Sequence, residues 1–321
     1  MRIAMMAVLG ACLAALPDAH GQGATPAPAF TLVDLTGAYA AFYDRTQGME
    51  ARPRVEALKA EFAPLFPGFY DAARVKGFAS PERYDVMIAR SFGQFADLRP
   101  RYARTAAAFA AMLAPARDDF ARHFPDLAPI GDVHLVHSLG EMDGGLRTIG
   151  GRRYFVFGAD VMAQLYAPGD ERPFFQHELF HIYHRQFFGE CPAVWCALWA
   201  EGLAVYVSER LNPGATDAQM GLTVPRPIRP EVDADRARAV CAVRARFDSE
   251  KPDDYAPLFY GASHLPGLPP RFAYYVGYLV AREAARARSL QELAHLTAEE
   301  ARPVAAAALA ALAECATTTG G

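Results

Sequence analysis

Two histidines and a glutamate stand at a spacing that an α-helix would place on one side. His177 and His181 are four residues apart, so on a helix their side chains lie about 40° apart around the axis and about 6 Å apart along it. Both imidazoles can then reach one ion, and imidazole nitrogen binds zinc at about 2.0–2.1 Å. Glu178 points to the side of this pair, where its carboxylate can accept a proton from a zinc-activated water. The pattern predicts a hydrolytic zinc site.

A catalytic zinc site needs a third protein ligand and one open position. Glu201 opens the stretch Glu201-Gly202-Leu203-Ala204 at the start of the next predicted helix, and Gly202 would let that helix approach the motif helix closely. We therefore predict Glu201 as the third ligand. The alternative is a first-turn carboxylate that interacts with the helix dipole. His184 lies near the same helix face and could replace a ligand, although a packed or solvated histidine is the simpler interpretation.

His177-Glu178-x-x-His181, followed after nineteen residues by Glu201-Gly202-Leu203-Ala204, resembles the gluzincin zinc metallopeptidases. The likeness is greatest to bacterial families described as predicted zinc-dependent proteases, and it covers about residues 131–310. It implies a zincin-like catalytic domain that binds one Zn²⁺ through His177, His181 and Glu201, with Glu178 as the base.

Two other gluzincin features need counterparts in this chain. Thermolysin-like members carry an aspartate four residues past the third ligand, which orients a zinc histidine, but Val205 stands in that place. The partner of the histidines is therefore open, and we consider Asp160 for it. Gluzincins also lay the substrate backbone along an edge strand, and residues 153–157 are our prediction for that strand.

The resemblance further implies a donor to the developing oxyanion, commonly a downstream tyrosine or histidine. We choose Tyr274, which shares a helix face with Tyr278 at four-residue spacing. Tyr275 and Tyr278 are close alternatives, and His264 in a flexible loop is a rival. Any one of these aromatic residues could instead be core packing. Arg271 is expected to bind either a substrate carboxylate or the carboxylates of the motif helix.

The elements around these residues predict a mainly α-helical α+β fold. Residues 30–130 show helical spacing, and their prolines predict several short helices that form an N-terminal layer. Residues 131–321 are predicted to form the catalytic domain. Strands at 133–138 and 153–157, joined by a glycine-rich loop, favour a hairpin in a small antiparallel sheet. Further helices are predicted at about 173–188, 197–211, 230–247 and 271–287, with an irregular stretch at 252–270.

The N-terminus is typical of a secretory signal peptide. Arg2 precedes an apolar run at residues 3–16, and Ala19-His20-Gly21 fits a cleavage site. We predict a signal peptide over residues 1–21, a disordered leader over 22–29 and a periplasmic or secreted protein. The apolar run is too short for stable membrane insertion, since a spanning helix needs about 20 apolar residues.

Four of the five cysteines follow the predicted cleavage site. Export and an even count favour two disulfides. A short local bridge between Cys191 and Cys196 is the first expectation, and Cys241 with Cys315 then follows by elimination. The alternative is four reduced core cysteines.

Composition narrows the class of function. Hydrophobic residues make up 52% and charged residues 21% of the 321 residues, which is typical of a folded globular chain. The net charge of −4 and the lack of a basic stripe argue against nucleic acid as the partner. We predict an exported zinc metallopeptidase with a peptide or protein substrate. The alternatives are an inactive metal-binding interaction protein and a zinc hydrolase of non-protein amides such as cell-wall peptide. The oligomeric state is left open.

Overall fold

The computed structural model describes residues 30–75 and 80–315. The predicted signal peptide and leader lie outside these residues. Within them the chain is mainly helical with one small sheet, which confirms the mainly α-helical α+β class.

Three helices and a 3₁₀ turn precede the site in the chain. They are α1 (Thr36–Arg45), α2 (Ala51–Phe62), a 3₁₀ turn (Ala72–Val75) and α3 (Pro81–His123). The prediction of several short helices is wrong for α3, which continues through Pro100 and Pro115. A proline inside a helix costs roughly 3 kcal/mol locally. Burial of one face of α3 offsets that cost, with Phe95, Tyr102 and Phe109 almost fully buried.

The sheet has four strands and mixed directions. Its strands are β1 (Leu32–Asp34), β2 (Val133–Val136), β3 (Gly144–Ile149) and β4 (Arg152–Gly158), in the order β1-β2-β4-β3. β1 and β4 run parallel to β2, and only β3 and β4 are antiparallel. The predicted antiparallel sheet is therefore wrong for β2, and the hairpin lies between β3 and β4. β4 is an inner strand, so the predicted edge strand at 153–157 is corrected to β3.

The next three helices carry the predicted motif. They are α4 (Ala159–Leu165), α5 (Arg172–Phe188) and α6 (Val194–Leu211). Gly189 ends α5 with a φ of 78°, which glycine adopts without strain. α3 is hydrogen-bonded to the first turns of α5, because the Asp119 carboxylate accepts hydrogen bonds from Arg172 (2.6 Å) and Gln176 (3.3 Å).

Six more helices complete the described part of the chain: α7 (Arg229–Ala234), α8 (Arg236–Arg244), α9 (Pro252–Phe259), α10 (Ala273–Ala284), α11 (Leu290–His295) and α12 (Ala298–Leu312). α9 lies in the stretch predicted to be irregular. α6 crosses α10 with backbone in direct contact, since a Cβ on Gly202 would overlap the backbone of Gly277. Gly202 thus allows the approach of α10, and the prediction that it serves the approach of the motif helix is corrected.

Both predicted disulfides are present. Cys191 bonds Cys196 across the connection from α5 to α6, and Cys241 of α8 bonds Cys315 beyond α12. None of the helices in residues 30–75 and 80–315 combines the length and apolarity that a membrane crossing requires.

Candidate metal centre

α5 and α6 bring three ligand atoms to one point. The Nε2 atoms of His177 and His181 lie 3.0 Å apart. Oε2 of Glu201 lies 3.4 Å from the first and 3.2 Å from the second. Four ligands at zinc-bond length in a tetrahedron are about 3.3 Å from one another. The three predicted ligands therefore have the spacing of three corners of a zinc tetrahedron.

Sequence order explains why these residues meet. His177 and His181 are one helical turn apart, and the Cys191–Cys196 disulfide closes the short connection that brings α6 back to α5. Within the described ranges this is the one cluster of three histidine, cysteine or acidic side chains with such spacing. We call His177, His181 and Glu201 the triad.

Charge couples His181 to Glu201 within the triad. Burial lowers the pKa of His181, but the neighbouring Glu201 carboxylate outweighs this and raises that pKa to about 9. Burial alone would raise the pKa of Glu201, yet His181 and His177 hold it well below its usual value. Glu201 is thus an anion at neutral pH, as a metal ligand must be.

Glu178 lies beside the triad with its carboxylate against β3. A Cβ built on Gly145 would lie 2.9 Å from Oε2 of Glu178 and 3.2 Å from the Arg147 guanidinium. Gly145 has a φ of 119°, so a residue with a side chain would be strained there as well as crowded. Burial raises the pKa of Glu178 above its usual value. The carboxylate is therefore a stronger base than an exposed glutamate.

Two cavities meet at the triad, and Arg147, Glu178, His181 and Glu201 line both. The larger, about 780 Å³, extends towards the Cys191–Cys196 connection and Tyr255. The smaller, about 360 Å³, extends towards Arg271 and Tyr274. Each lies in or near the size range of small-molecule sites, about 300–1,000 Å³.

The structure brings two of the remaining predicted residues to the site. Tyr274 lines the smaller cavity, and the Arg271 guanidinium lies over its ring at 4.6 Å. Burial, followed by the charge of Glu201, raises the pKa of Tyr274 far above its usual value. Its hydroxyl therefore keeps its proton, as a hydrogen-bond donor to an oxyanion requires.

The other three predicted residues are not brought to the triad. Tyr275 donates to Asp233 at 3.1 Å, and Tyr278 donates to Glu209 at 2.6 Å, both away from the two cavities. His264 is exposed in the loop before α10 and lines neither cavity. We therefore assign no contact with the site to these three residues.

Two histidine expectations can be compared with the contacts. His184 is packed, because its ring stacks on Phe180. Its Nδ1 lies 2.8 Å from the Ala294 carbonyl oxygen, which is within hydrogen-bond distance. Asp160 is wrong as a partner of His177 and His181. Its carboxylate accepts hydrogen bonds from Ser138 and Gly140 and fixes the turn after β2.

Among the cavity-lining residues that sequence reasoning missed are Asp143, Arg147, Tyr166 and Tyr255. Asp143 and Arg147 lie in or next to the glycine-rich stretch that was interpreted as a turn, where no periodic signal marks a strand. Tyr255 lies on α9, and Pro252 followed by Asp253 and Asp254 is a helix-start signal that could have found it.

Comparisons of the chain with protein-family models, with curated proteins and with solved structures give no match. The gluzincin resemblance therefore stays a prediction, and the proposed function depends on the geometry of the site.

Proposed function

We propose that this protein is a zinc-dependent hydrolase that cleaves peptide or related amide bonds. One observation carries the proposal: the three donor atoms of the triad lie 3.0–3.4 Å apart beside a glutamate of raised pKa, in an open cleft. If His181 and Glu201 were only a structural hydrogen-bonded pair, neither His177 as a third ligand nor Glu178 as an adjacent base would be needed.

The ligand set suits zinc. Two imidazoles and one carboxylate are a common zinc set in hydrolases, and three protein ligands leave a position for water or substrate. His177, His181 and Glu201 would hold the ion. When bound, zinc supplies a Lewis acid that polarises a carbonyl oxygen and makes a water molecule more acidic.

Glu178 is the proposed general base. It takes a proton from the attacking water as the new carbon–oxygen bond forms. It then passes that proton to the leaving nitrogen as the carbon–nitrogen bond breaks. Its raised pKa supports this role, because a base is most effective when its pKa approaches the working pH.

Tyr274 is the proposed donor to the oxyanion. It lines the same cavity as the triad, and its raised pKa keeps the phenol protonated. The distance from its hydroxyl to a substrate oxygen depends on the pose of the substrate. Its place in the cavity and its protonation state are the support for this role.

β3 is the proposed surface for the substrate backbone. It is an edge strand within the described sheet, and Gly145, Leu146 and Arg147 line the larger cavity beside Glu178. An extended peptide can pair with such an edge through main-chain hydrogen bonds. This supports a peptide over a compact small molecule.

The two disulfides support an oxidising compartment, where such bonds form and persist. With the predicted signal peptide, they favour an exported enzyme. A scaffold without activity would have no need for Glu178, which is why we prefer a hydrolase to an inactive relative.

The test is cleavage of a mixed peptide library by the zinc-loaded mature protein. We expect Glu178→Gln to keep its zinc and to lose about 10²–10⁴-fold in turnover. Tyr274→Phe should lose about 10²-fold. Tyr278→Phe is the matched control with normal turnover, because its hydroxyl is bonded to Glu209.

Undiminished cleavage by Glu178→Gln would overturn the mechanism. No cleavage of any peptide by zinc-loaded wild type would instead favour a non-protein amide or an inactive protein. A loss of turnover in Tyr278→Phe alone would move the oxyanion role away from Tyr274.

A further inference from the structure

Arg271 is a partly buried guanidinium without an ionic partner in the described part of the chain. None of its nitrogens lies within 4.0 Å of a carboxylate oxygen there, although many other arginines form such pairs. Nη1 donates to the Val224 carbonyl oxygen at 3.2 Å and to that of Gly221 at 3.5 Å. The ring of Tyr274 holds the guanidinium from a further side. The side chain is thus fixed in place by neutral groups, with no described carboxylate at ion-pair distance.

The backbone at Arg271 adds a second observation. Its φ is 62°, a conformation that residues with a side chain adopt uncommonly. Glycine would adopt it without strain, and yet the position carries an arginine. Such an outlier at the wall of a cavity suggests that the side chain itself is used there.

The charges around the smaller cavity point to an anion. Asp143 also lines it, but its carboxylate already accepts hydrogen bonds from the Gly144 amide (3.0 Å) and the Tyr166 hydroxyl (3.2 Å). Arg147 contributes a second positive charge. The lining groups comprise three carboxylates (Asp143, Glu178 and Glu201) and two guanidinium groups (Arg147 and Arg271). With a divalent ion held by the triad, the formal charge of the cavity would be +1. A ligand with a single negative charge would neutralise the cavity.

We propose that the smaller cavity is a carboxylate-binding subsite, with Arg271 as the group that binds the carboxylate. A planar guanidinium matches a carboxylate through two parallel hydrogen bonds. The cavity of about 360 Å³ holds a short piece of chain. The substrate class is then a peptide with a carboxylate close to the cleaved bond, either its own C-terminus or an acidic side chain. This inference rests on the proposed function.

The test is affinity selection of peptides on the zinc-loaded Glu178→Gln protein, which is expected to bind substrate and to cleave it about 10²–10⁴-fold more slowly than wild type. Two pools of the same random octapeptides are used, one with free C-termini and one with C-terminal amides. We expect enrichment of carboxylate-bearing peptides by about tenfold to a hundredfold, as for hydrogen bonds to a charged group. Enrichment confined to the free-acid pool identifies the C-terminus. Enrichment of aspartate and glutamate in both pools identifies a side chain.

Arg271→Gln in the same background should abolish the enrichment while zinc content stays at one equivalent. Arg271→Lys keeps the positive charge but not the planar group that can donate two parallel hydrogen bonds, and we expect it to lower the enrichment severalfold. This milder change provides the test if Arg271→Gln does not fold. Arg282→Gln is the matched control, because Arg282 lies exposed on α10, the helix that begins two residues after Arg271, and lines neither cavity.

Enrichment that persists in Arg271→Gln would mean that the carboxylate binds the ion directly, and the proposal would be wrong. Equal recovery of acids and amides with no preference for acidic residues would overturn it as well. These results are separable from the proposed function. Hydrolysis by wild type without any carboxylate preference would contradict only the proposed subsite. Arg271-dependent enrichment without hydrolysis would contradict only the proposed peptidase activity.

Discussion

His181 and Glu201 form a charged pair, and binding of the proposed zinc ion would have to break it. The pKa of His181 is about 9 because the Glu201 carboxylate outweighs the effect of burial. At pH 7.5 this imidazole therefore carries a proton, and a zinc ligand must be neutral. Under the proposed function, a bound zinc ion would take the place of this proton beside Glu201.

Zinc binding at pH 7.5 should accordingly release about one proton from His181. The apparent affinity should rise about tenfold for each pH unit up to pH 9 and level off above it. Isothermal titration calorimetry in buffers of different ionisation enthalpy measures the release. Glu201→Gln removes the cause of the raised pKa, so the release in that variant should fall. A wild-type release near zero at pH 7.5 would contradict the coupling.

The sequence predicted that His177, His181 and Glu201 would meet, but it could not separate Tyr274 from Tyr275 and Tyr278, for a physical reason. The meeting of His177 and His181 depends on one helical turn, which is local. Which face of α10 meets the site depends on tertiary packing. Tyr275 and Tyr278 instead face Arg229, whose guanidinium lies over both rings. Nothing in the spacing of the tyrosines contains that information.

At the scale of elements, the crossing of α6 and α10 lies directly beside Glu201. Gly202 follows Glu201 directly and lies against Gly277, with no space for a side chain between the two backbones. A larger residue at either glycine must push the helices apart. The third ligand would move with α6.

Gly202→Ala should lower the free energy of unfolding by about 3 kcal/mol, the upper end of the usual cost of an overpacked core, because the added Cβ would meet backbone atoms. It should also weaken zinc binding. Gly93→Ala is the control, since nothing lies within 4 Å of a Cβ built there in α3. That change should be neutral or stabilise by up to about 1 kcal/mol. Urea unfolding measures both, and equal stability of the two variants would contradict the tight crossing.

Helices α5, α6 and α10 were predicted to within a few residues, whereas α9 and the strand pairing were not. Helices α5 and α6 have their own periodicity and end signals, such as Gly189. The parallel pairing of β2 with β4 and β1 joins residues far apart in sequence. The edge position of β3 follows from that pairing. Local patterns favoured a hairpin between β2 and β4, the two strands that were recognised. They did not reveal β3, which lies between these strands in the sequence.

At the scale of the whole molecule, the two disulfides have different tasks. Cys241–Cys315 closes a loop with a sequence separation of 74, and Cys191–Cys196 one of 5. The loss of chain entropy in the unfolded state predicts roughly 4 kcal/mol for the long loop and roughly 2 kcal/mol for the short one. The short loop, however, joins the two ligand-bearing helices directly.

The serine pair Cys241→Ser/Cys315→Ser should therefore reduce the free energy of unfolding more, with zinc affinity little changed. The pair Cys191→Ser/Cys196→Ser should reduce it less but weaken zinc binding more. Urea unfolding measures the stability of each variant, and competition with a chelator measures its zinc affinity. A larger loss of zinc affinity in the first pair would contradict this division.

The central claim is that His177, His181 and Glu201 hold one zinc ion. Its most direct test is the metal content of the purified protein after loading and removal of excess zinc, measured by elemental analysis. We predict one equivalent in wild type and in Glu178→Gln, and well below one in His177→Ala, His181→Ala and Glu201→Ala. Wild type with far less than one equivalent, or full retention of zinc by all three alanine variants, would contradict the account.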